Sequence, residues 1–430
     1  MLEHSPSFDL RDAERVAREY FGTEGVATAL TSERDQNFCV ETAGGTRIVL
    51  KIANATEDRA MLEAQQQALM HVEKHVDVTP HVLRAKSGET LVEVTGPDGR
   101  SHLAWAITWL DGRPLALAPR KSRELLEDFG RNIGALALAL ATFDAPAIHR
   151  DFYWDLANGR AIVARFRELI ANEDLGRTVD LLMASFDAHT APLLAKLPRA
   201  AIHGDPNDYN VLVGGGTDVE SRNQMVTGFV DFGDMTHSYR IGDLAIALAY
   251  VLCDESDPLA TAVTMVRGYC EEIASTDEEL AALFGLVVLR LCTSVCIAAD
   301  QLRQRPDNVY LGVSQQAIAR LLPILAAIPF PLAEAAFREA AGIGAAPAAK
   351  RVVAYLERQA SIPPILGVDP QTEPSIVLDL GVDSALISGD ARENAEPYVT
   401  MRVFDEMHRA DVSLAIGRYD EARLIYTEPA

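Results

Sequence analysis

Residues 201–234 constrain what this chain can fold into more than any other stretch. They read Ala201-Ile202-His203-Gly204-Asp205-Pro206-Asn207-Asp208-Tyr209-Asn210-Val211-Leu212-Val213, then a Gly-Gly-Gly turn at 214–216, a polar loop, and Gly228-Phe229-Val230-Asp231-Phe232-Gly233-Asp234. Apolar runs this short, bounded by turn residues, predict strands, and each run leads into a cluster of acids. A strand end delivers a side chain to a fixed point, and Asp205, Asn210 and Asp231 are the side chains delivered. An amide and a carboxylate are oxygen ligands suited to Mg²⁺, which takes few protein groups and completes its shell with phosphate oxygens. Asp205, five residues before the amide, is placed to accept a proton from an attacking hydroxyl. A pair of acidic loops that merely cap strands is the bland alternative. Two motifs in the right order and at a compatible distance argue against it.

The spacing His203-x-Asp205-x-x-x-x-Asn210, followed by Asp231-Phe232-Gly233, is similar to the paired loops of protein kinases. Gly204 in the middle, giving His-Gly-Asp, resembles the aminoglycoside phosphotransferases and their small-molecule kinase relatives, among them choline, hydroxylysine and homoserine kinases. The resemblance implies an α+β, two-lobed protein-kinase-like fold: an antiparallel-sheet nucleotide lobe, a mainly helical large lobe, and here a small β-rich C-terminal extension. The expected boundaries are 1–110, 111–345 and 346–430. The implied roles are Asp205 as proton acceptor, Asn210 and Asp231 as Mg²⁺ ligands, and ATP or GTP as donor. His203 is expected to brace the loop through a hydrogen bond.

The rest of the chain fits such a plan. Leu10, Ala13, Val16 and Tyr20 share one helical face over 9–21, with Gly22 as a stop. Strands are expected near 25–31, 36–42 and 46–52, the last two joined by Ala43-Gly44-Gly45. Two more are expected within 82–95, turning at Ser87-Gly88, and another at 102–109. A helix at 57–74 interrupts them. Lys51 closes the strand Arg47-Ile48-Val49-Leu50-Lys51-Ile52, and the following helix carries Glu63. The resemblance implies that this lysine and an acid hold the nucleotide phosphates; Glu57 competes with Glu63 for the acid's place. No Gly-x-Gly-x-x-Gly precedes Lys51. The turn at 31–38 instead offers hydroxyl, amide and backbone N–H donors, with Ser32 and Asn37 as its phosphate-side candidates. The run Asp35-Gln36-Asn37-Phe38 resembles the equivalent turn of hydroxylysine-kinase-like proteins. Thr108 and Leu110 fall where the hinge to a purine edge is implied, although a sheet edge followed by a turn reads the same way.

Residues 121–142 and 157–198 are Leu/Ala-rich with helical period. Between them, 152–155 mixes aromatics with acids, and aromatic faces beside carboxylates suit an ammonium group. Trp154, Asp155 and Asp208 are therefore candidate contacts to a cationic hydroxyl substrate, with a buried helix-start cluster as the alternative for 152–155. Gly242-Asp243 is similar to a Gly-Asp that related small-molecule kinases carry at this point, and the resemblance implies that Asp243 braces the catalytic loop. Helices continue to about 340, and a Gly-Ala-Pro stretch follows. The tail shows strand-like runs at 375–380, 384–388, 413–417 and 423–426 with no chemical constellation.

Composition narrows the partners. A formal net charge of −23 argues against nucleic-acid binding, which needs Lys/Arg patches, and tolerates a cationic substrate. The five cysteines lack metal-type spacing and read as small buried hydrophobes in a reducing compartment. The N-terminus has no signal pattern, and the apolar stretches are too short for a bilayer or carry Arg290 and prolines. A cytoplasmic enzyme with no membrane partner is expected. A metal-dependent hydrolase with His203 and Asp205 as ligands lacks further convergent ligands. A non-catalytic nucleotide-binding module fits poorly with a full set of chemical groups. The leading expectation is a kinase of a small amino alcohol or hydroxyamino acid, with an antibiotic phosphotransferase as the alternative. Some bacterial proteins that look like this one join such a kinase to a peptidase-like segment and a class-III aminotransferase-like domain. Covalent linkage to further enzyme domains is accordingly expected, with a dimer as the other form of assembly.

Overall fold

A computed structural model of the protein describes residues 6–343, apart from 33–34, 98, 119–120, 216–223, 254 and 305–310, together with the strands Ala415–Tyr419 and Ala422–Tyr426. The chain forms two compact units, each assembled from separated segments. The first comprises Met1–Leu125, Ala135–Asp155 and Arg199–Asp243, and the second Leu126–Gly134, Leu156–Pro198 and Leu244–Ala430.

In the first unit, helix α1 (Leu10–Phe21) starts at a capping box between Asp9 and Asp12 and stops at Gly22, whose φ of 71° only glycine takes without strain. Strands β1 (Gly25–Leu30), β2 (Gln36–Thr42) and β3 (Arg47–Ile52) lead into helix α2 (Arg59–Val72), followed by β4 (Val82–Leu83), β5 (Val92–Thr95) and β6 (Ser101–Thr108). They form one antiparallel sheet in the order β1-β2-β3-β6-β4, with β5 also on β6. Period-two alternation decides what each face carries. Phe38, Val40, Ile48, Leu50, Ile52, Ala104 and Ala106 form a core with Ala13, Val16 and Ala17 of α1. Asn37, Lys51 and Trp105 are direct cross-strand partners and so share the other face.

The strands within 82–95 do not form the expected hairpin. Both pair with β6 instead, β4 at its Ala106 and Ile107 and β5 along 101–104. Eight-residue β6 is long enough to seat both, and the turn from Ala85 to Glu89 only carries the chain from one to the other. Strand β7 (Arg113–Pro114) follows, then helix α3 (Arg123–Leu140), whose middle belongs to the second unit.

The second unit is helical. It holds α4 (Leu156–Phe166), α5 (Glu173–His189), most of α6 (Gly242–Val251), α7 (Pro258–Glu272), α8 (Asp277–Gln304), α9 (Leu311–Ala326) and α10 (Phe330–Ala340). The helical stretch expected over 157–198 is broken by 3-10 turns at Arg167–Leu169 and Ala191–Lys196. Helix α8 is the hub: it is buried almost continuously from Glu279 to Ala298 and packed by α4, α5, α9 and α10. It is long and apolar enough to cross a membrane, but its most apolar window is 94% buried inside the protein. Helices α3 and α7 cross at two glycines. A Cβ on Gly130 would lie 1.9 Å from the Met265 carbonyl oxygen, and one on Gly268 2.0 Å from that of Glu127. All five cysteines are free.

Four more strands complete the first unit: β8 (Arg199–Ile202), β9 (Val211–Gly214), β10 (Met225–Phe229) and β11 (Thr236–Tyr239). β9 lies between β7 and β10, and β8 pairs with β11. Strands β12 (Ala415–Tyr419) and β13 (Ala422–Tyr426) form an antiparallel hairpin where the runs at 413–417 and 423–426 predicted strands. The runs at 375–380 and 384–388 lie outside the described residues.

Candidate active site

Two ladders bring the acidic loops together. The β8–β11 register sets Ile202 opposite Thr236, so the loop that opens at His203 runs beside the one that ends at Asp234. The β9–β10 register sets Val211 opposite Phe229, and Val230 N–H donates to the Asn210 carbonyl at 2.9 Å. Asn210 and Asp231 therefore emerge as neighbours.

The loop at 203–210 is held from beneath. Asp243, 1% exposed, accepts the backbone N–H groups of His203 and Gly204, both at 2.9 Å. One buried carboxylate thus holds both amides at the start of the loop. His203 is fully buried, and burial lowers its pKa. Its Nδ1 accepts from Asp205 N–H at 3.2 Å and its Nε2–H donates to the Val230 carbonyl at 3.1 Å. One neutral ring thus ties the two loops together. Gly204 sits at φ +85°, and a Cβ there would lie 2.2 Å from the Asp234 carbonyl oxygen. The left-handed backbone and the missing space both exclude a side chain, which is why His-Gly-Asp stands here.

Asp205 Oδ2 accepts from Asn207 Nδ2 at 2.7 Å and from Asn210 Nδ2 at 3.0 Å, which fixes the carboxylate's orientation. Because the Asn210 amide nitrogen is spent on Asp205, its carbonyl oxygen is the end available to a hard cation. Asp231 adopts φ 65°, the only positive φ at a non-glycine among the described residues. Such strain is characteristic of functional positions. Its side chain, 59% exposed, lies 3.8 Å from the Lys51 ammonium. Arg150 donates to the carbonyls of Gly233 and Met235, both at 3.0 Å, and stacks 4.1 Å from the Phe152 ring. Sequence reasoning missed Arg150, and no spacing marks it, since its partners lie more than eighty residues away.

One cavity joins these groups within the first unit. Asp205, Asp231, Asp234 and Lys51 line it, together with Ser32, Asp35, Glu57, Leu62, Gln65 and Trp105. The arrangement offers a fixed carboxylate as proton acceptor, hard oxygen donors and one cation. Of the candidates from the turn at 31–38, Ser32 lines the cavity. The other candidates are placed differently.

Glu63 is corrected: it faces outward and pairs with Arg59 one helical turn back, at 3.7 Å. The phase of α2 presents Leu62 and Gln65 to the cavity, and Glu57, the competing acid, reaches it from the loop before the helix. Asn37 sits beside Lys51 in the sheet but not on the cavity wall, and its buried Oδ1 has no hydrogen-bond partner among the described residues. Thr108 exchanges hydrogen bonds with His81, its N–H donating to the His81 carbonyl and its Oγ1 accepting from the His81 N–H, both at 2.9 Å. Leu110 packs where a Cβ on Gly228 would meet it at 2.6 Å. Neither lines the cavity.

Asp155 is also corrected. It is 8% exposed and accepts a hydrogen bond from Ser238, so it anchors β11 and does not line this cavity. Trp154 packs edge-on to Tyr153 and does not line the cavity. Asp208 lies off the cavity as well; burial pushes its carboxyl pKa up, with Lys121 pulling it back.

Among known proteins the chain is similar to hydroxylysine kinase of Mus musculus, 28% identical over 321 residues that cover 70% of this chain and 85% of that one. Hydroxylysine kinase of Danio rerio is 27% identical over 316 residues, 71% of this chain and 86% of the relative. Among solved structures, an amicoumacin kinase in complex with AMP-PNP, Ca²⁺ and amicoumacin superposes with a TM-score of 0.56 at 14% identity, covering 75% of this chain and 95% of its own. A microcompartment-associated aminopropanol kinase gives 0.53 at 19% identity, with 78% and 100% covered. The fold is thus kinase-like, as the two motifs implied. Residues 26–283 match the phosphotransferase enzyme family, more than half of the chain and all of the loop machinery described above, and the chain belongs to that family of phosphotransferases.

Proposed function

We propose that this protein is a kinase that transfers the γ-phosphate of ATP or GTP to the hydroxyl of a small amino alcohol or hydroxyamino acid, hydroxylysine first among them. The observation that carries the reading is the convergence of Asp205, Asp231 and Lys51 on one cavity, with Asn210 fixed against Asp205. The relatives that span most of the chain are hydroxylysine kinases, which supports that acceptor class.

The residues fit a Mg²⁺–nucleotide. Asp231 and the carbonyl of Asn210 are hard oxygen donors, and two protein ligands with phosphate oxygens and water make a normal Mg²⁺ shell. Bound there, the ion would neutralise charge on the transferred phosphoryl group. The cavity wall carries five carboxylates, from Asp35, Glu57, Asp205, Asp231 and Asp234, against the single cation of Lys51. A polyphosphate enters such a wall only with accompanying cations.

The chain's own residues would do the rest. Asp205, held by two amides, orients the acceptor hydroxyl and takes its proton. Lys51 donates its N–H groups to the phosphates. Asp243 and His203 keep the loop from shifting when charge moves. Positioning and fixed charge account for most of the acceleration in such transfer, so few groups suffice. With Asp155 and Trp154 off the cavity, the acids of its wall are the ones placed to meet a substrate ammonium beside Asp205. Free thiols throughout accord with a cytoplasmic enzyme.

The test is a coupled nucleotide-release screen with ATP and GTP over hydroxylysine, ethanolamine, aminopropanol, homoserine, choline and aminoglycosides. Turnover with a small amino alcohol or hydroxyamino acid is expected. Transfer to aminoglycosides alone would replace this acceptor class by the antibiotic one.

A further inference from the structure

We infer that Trp105 is the positioning residue for the Lys51 ammonium, its indole face holding the cation in the place of a helix carboxylate. The inference rests on the reading of Lys51 as a phosphate contact.

Lys51 and Trp105 are direct partners across β3 and β6, so both side chains leave the sheet on the face opposite the α1 core. The Lys51 ammonium lies 5.1 Å from the centre of the Trp105 ring. Trp105 is 2% exposed, yet it contributes to the cavity wall. Among the described residues, the other partner of the ammonium is Asp231 at 3.8 Å. Glu63 is turned away, and the position of α2 that faces the cavity beside Leu62 is the neutral amide of Gln65.

Chemistry separates the two partners. Asp231 is a carboxylate that would also hold a divalent ion, and its oxygens would then be shared with Lys51. A π face attracts the ammonium electrostatically without accepting its N–H groups in the usual way. Trp105 would therefore keep Lys51 in place with Asp231 engaged elsewhere, and it leaves the ammonium donors for phosphate oxygens. Burial of the indole fixes the direction of its face, so the lysine is aimed before the nucleotide arrives.

The experiment is a double-mutant cycle read by calorimetric binding of Mg-ATP and Mg-GTP, with Trp105→Phe and Trp105→Met made in the Lys51 and Lys51→Ala backgrounds. Trp105→Met should weaken nucleotide binding by about tenfold with Lys51 present and leave it within about twofold in the Lys51→Ala background. Trp105→Phe, which keeps a smaller π face, should stay within about threefold of the native chain. An equal loss in both backgrounds, or no loss in either, overturns the inference. Fluorescence gives a second readout that does not depend on the methionine variant folding. Lys51→Met should shift the emission component that disappears in Trp105→Phe, and an unchanged component overturns the inference too. Failure of the native chain to bind either nucleotide overturns the donor reading itself, and is distinguishable because the fluorescence contact would persist.

Discussion

Asp205 and His203 lie two residues apart and meet opposite electrostatic fates. Asp205 reaches the cavity with its carboxylate steadied by two side-chain amides, whereas His203 is sealed beneath it as a neutral ring. Asp205→Asn should keep the shape and lose the proton acceptor, lowering kcat by about 10²–10⁴-fold while nucleotide affinity stays near native. Unchanged kcat in that variant would remove Asp205 from the chemistry. His203 gives a pH signature. Its pKa in the folded chain lies below the ordinary 6.5, so below that pH the unfolded state binds a proton that the folded state refuses. Stability is therefore undiminished above pH 6.5 and falls as the pH drops through it. His203→Gln offers an acceptor and a donor without titrating. Between about pH 7.5 and pH 5.5 its Tm should fall less than that of the native chain, and parallel curves would contradict the assignment.

At the scale of elements, close approach matters as much as chemistry. The α3–α7 crossing is set by Gly130 and Gly268, each with a carbonyl oxygen of the other helix where a Cβ would stand. Gly268→Ala should force the helices apart and destabilise the chain by about 1–3 kcal/mol, seen as a lower midpoint in urea unfolding. Retention of the native midpoint would mean that the crossing relaxes without cost. Helices were expected through this region from its dense Leu, Ala and Val, but nothing in that reading says which neighbour the Gly268 side meets. The same holds for α2. Its presence was legible, and its phase against the sheet was not, so Glu63 was an expected cavity acid that proves to pair with Arg59 while Glu57 takes the cavity position.

For the whole molecule, the motifs end at Asp243 and the described helices end with α10 at Ala340. A chain truncated near residue 345 should fold and retain phosphotransfer, with kcat within about threefold of the full chain, because no group assigned to the cavity lies beyond Asp234. Loss of soluble, folded protein on truncation would show that the tail contributes to the core of the second unit. The segmental make-up of the two units has its own consequence: the loop from β8 to β11 is grouped with the N-terminal sheet. Damage to β3 should therefore be felt at Asp231, which a variant series in β3 read by nucleotide binding can check.

What the sequence determined by itself is what depends on neighbours along the chain. His203, Gly204, Asp205 and Asn210 sit within eight residues, and Asp231 opens a tripeptide, so their spacing carried the resemblance from which the reaction class was expected. Lys51 near the end of an apolar strand was likewise readable, as were the strands and most helices. Tertiary structure decided everything that depends on the phase or packing of elements distant in sequence. It turned Asp155 inward to Ser238, lifted Glu63 away from Lys51, brought Arg150 to the carbonyls after Asp231, and set Trp105 under the lysine. A local pattern fixes the face on which a side chain leaves its own element. Which partner it meets there follows only from how separate elements pack, and that is a property of the folded chain.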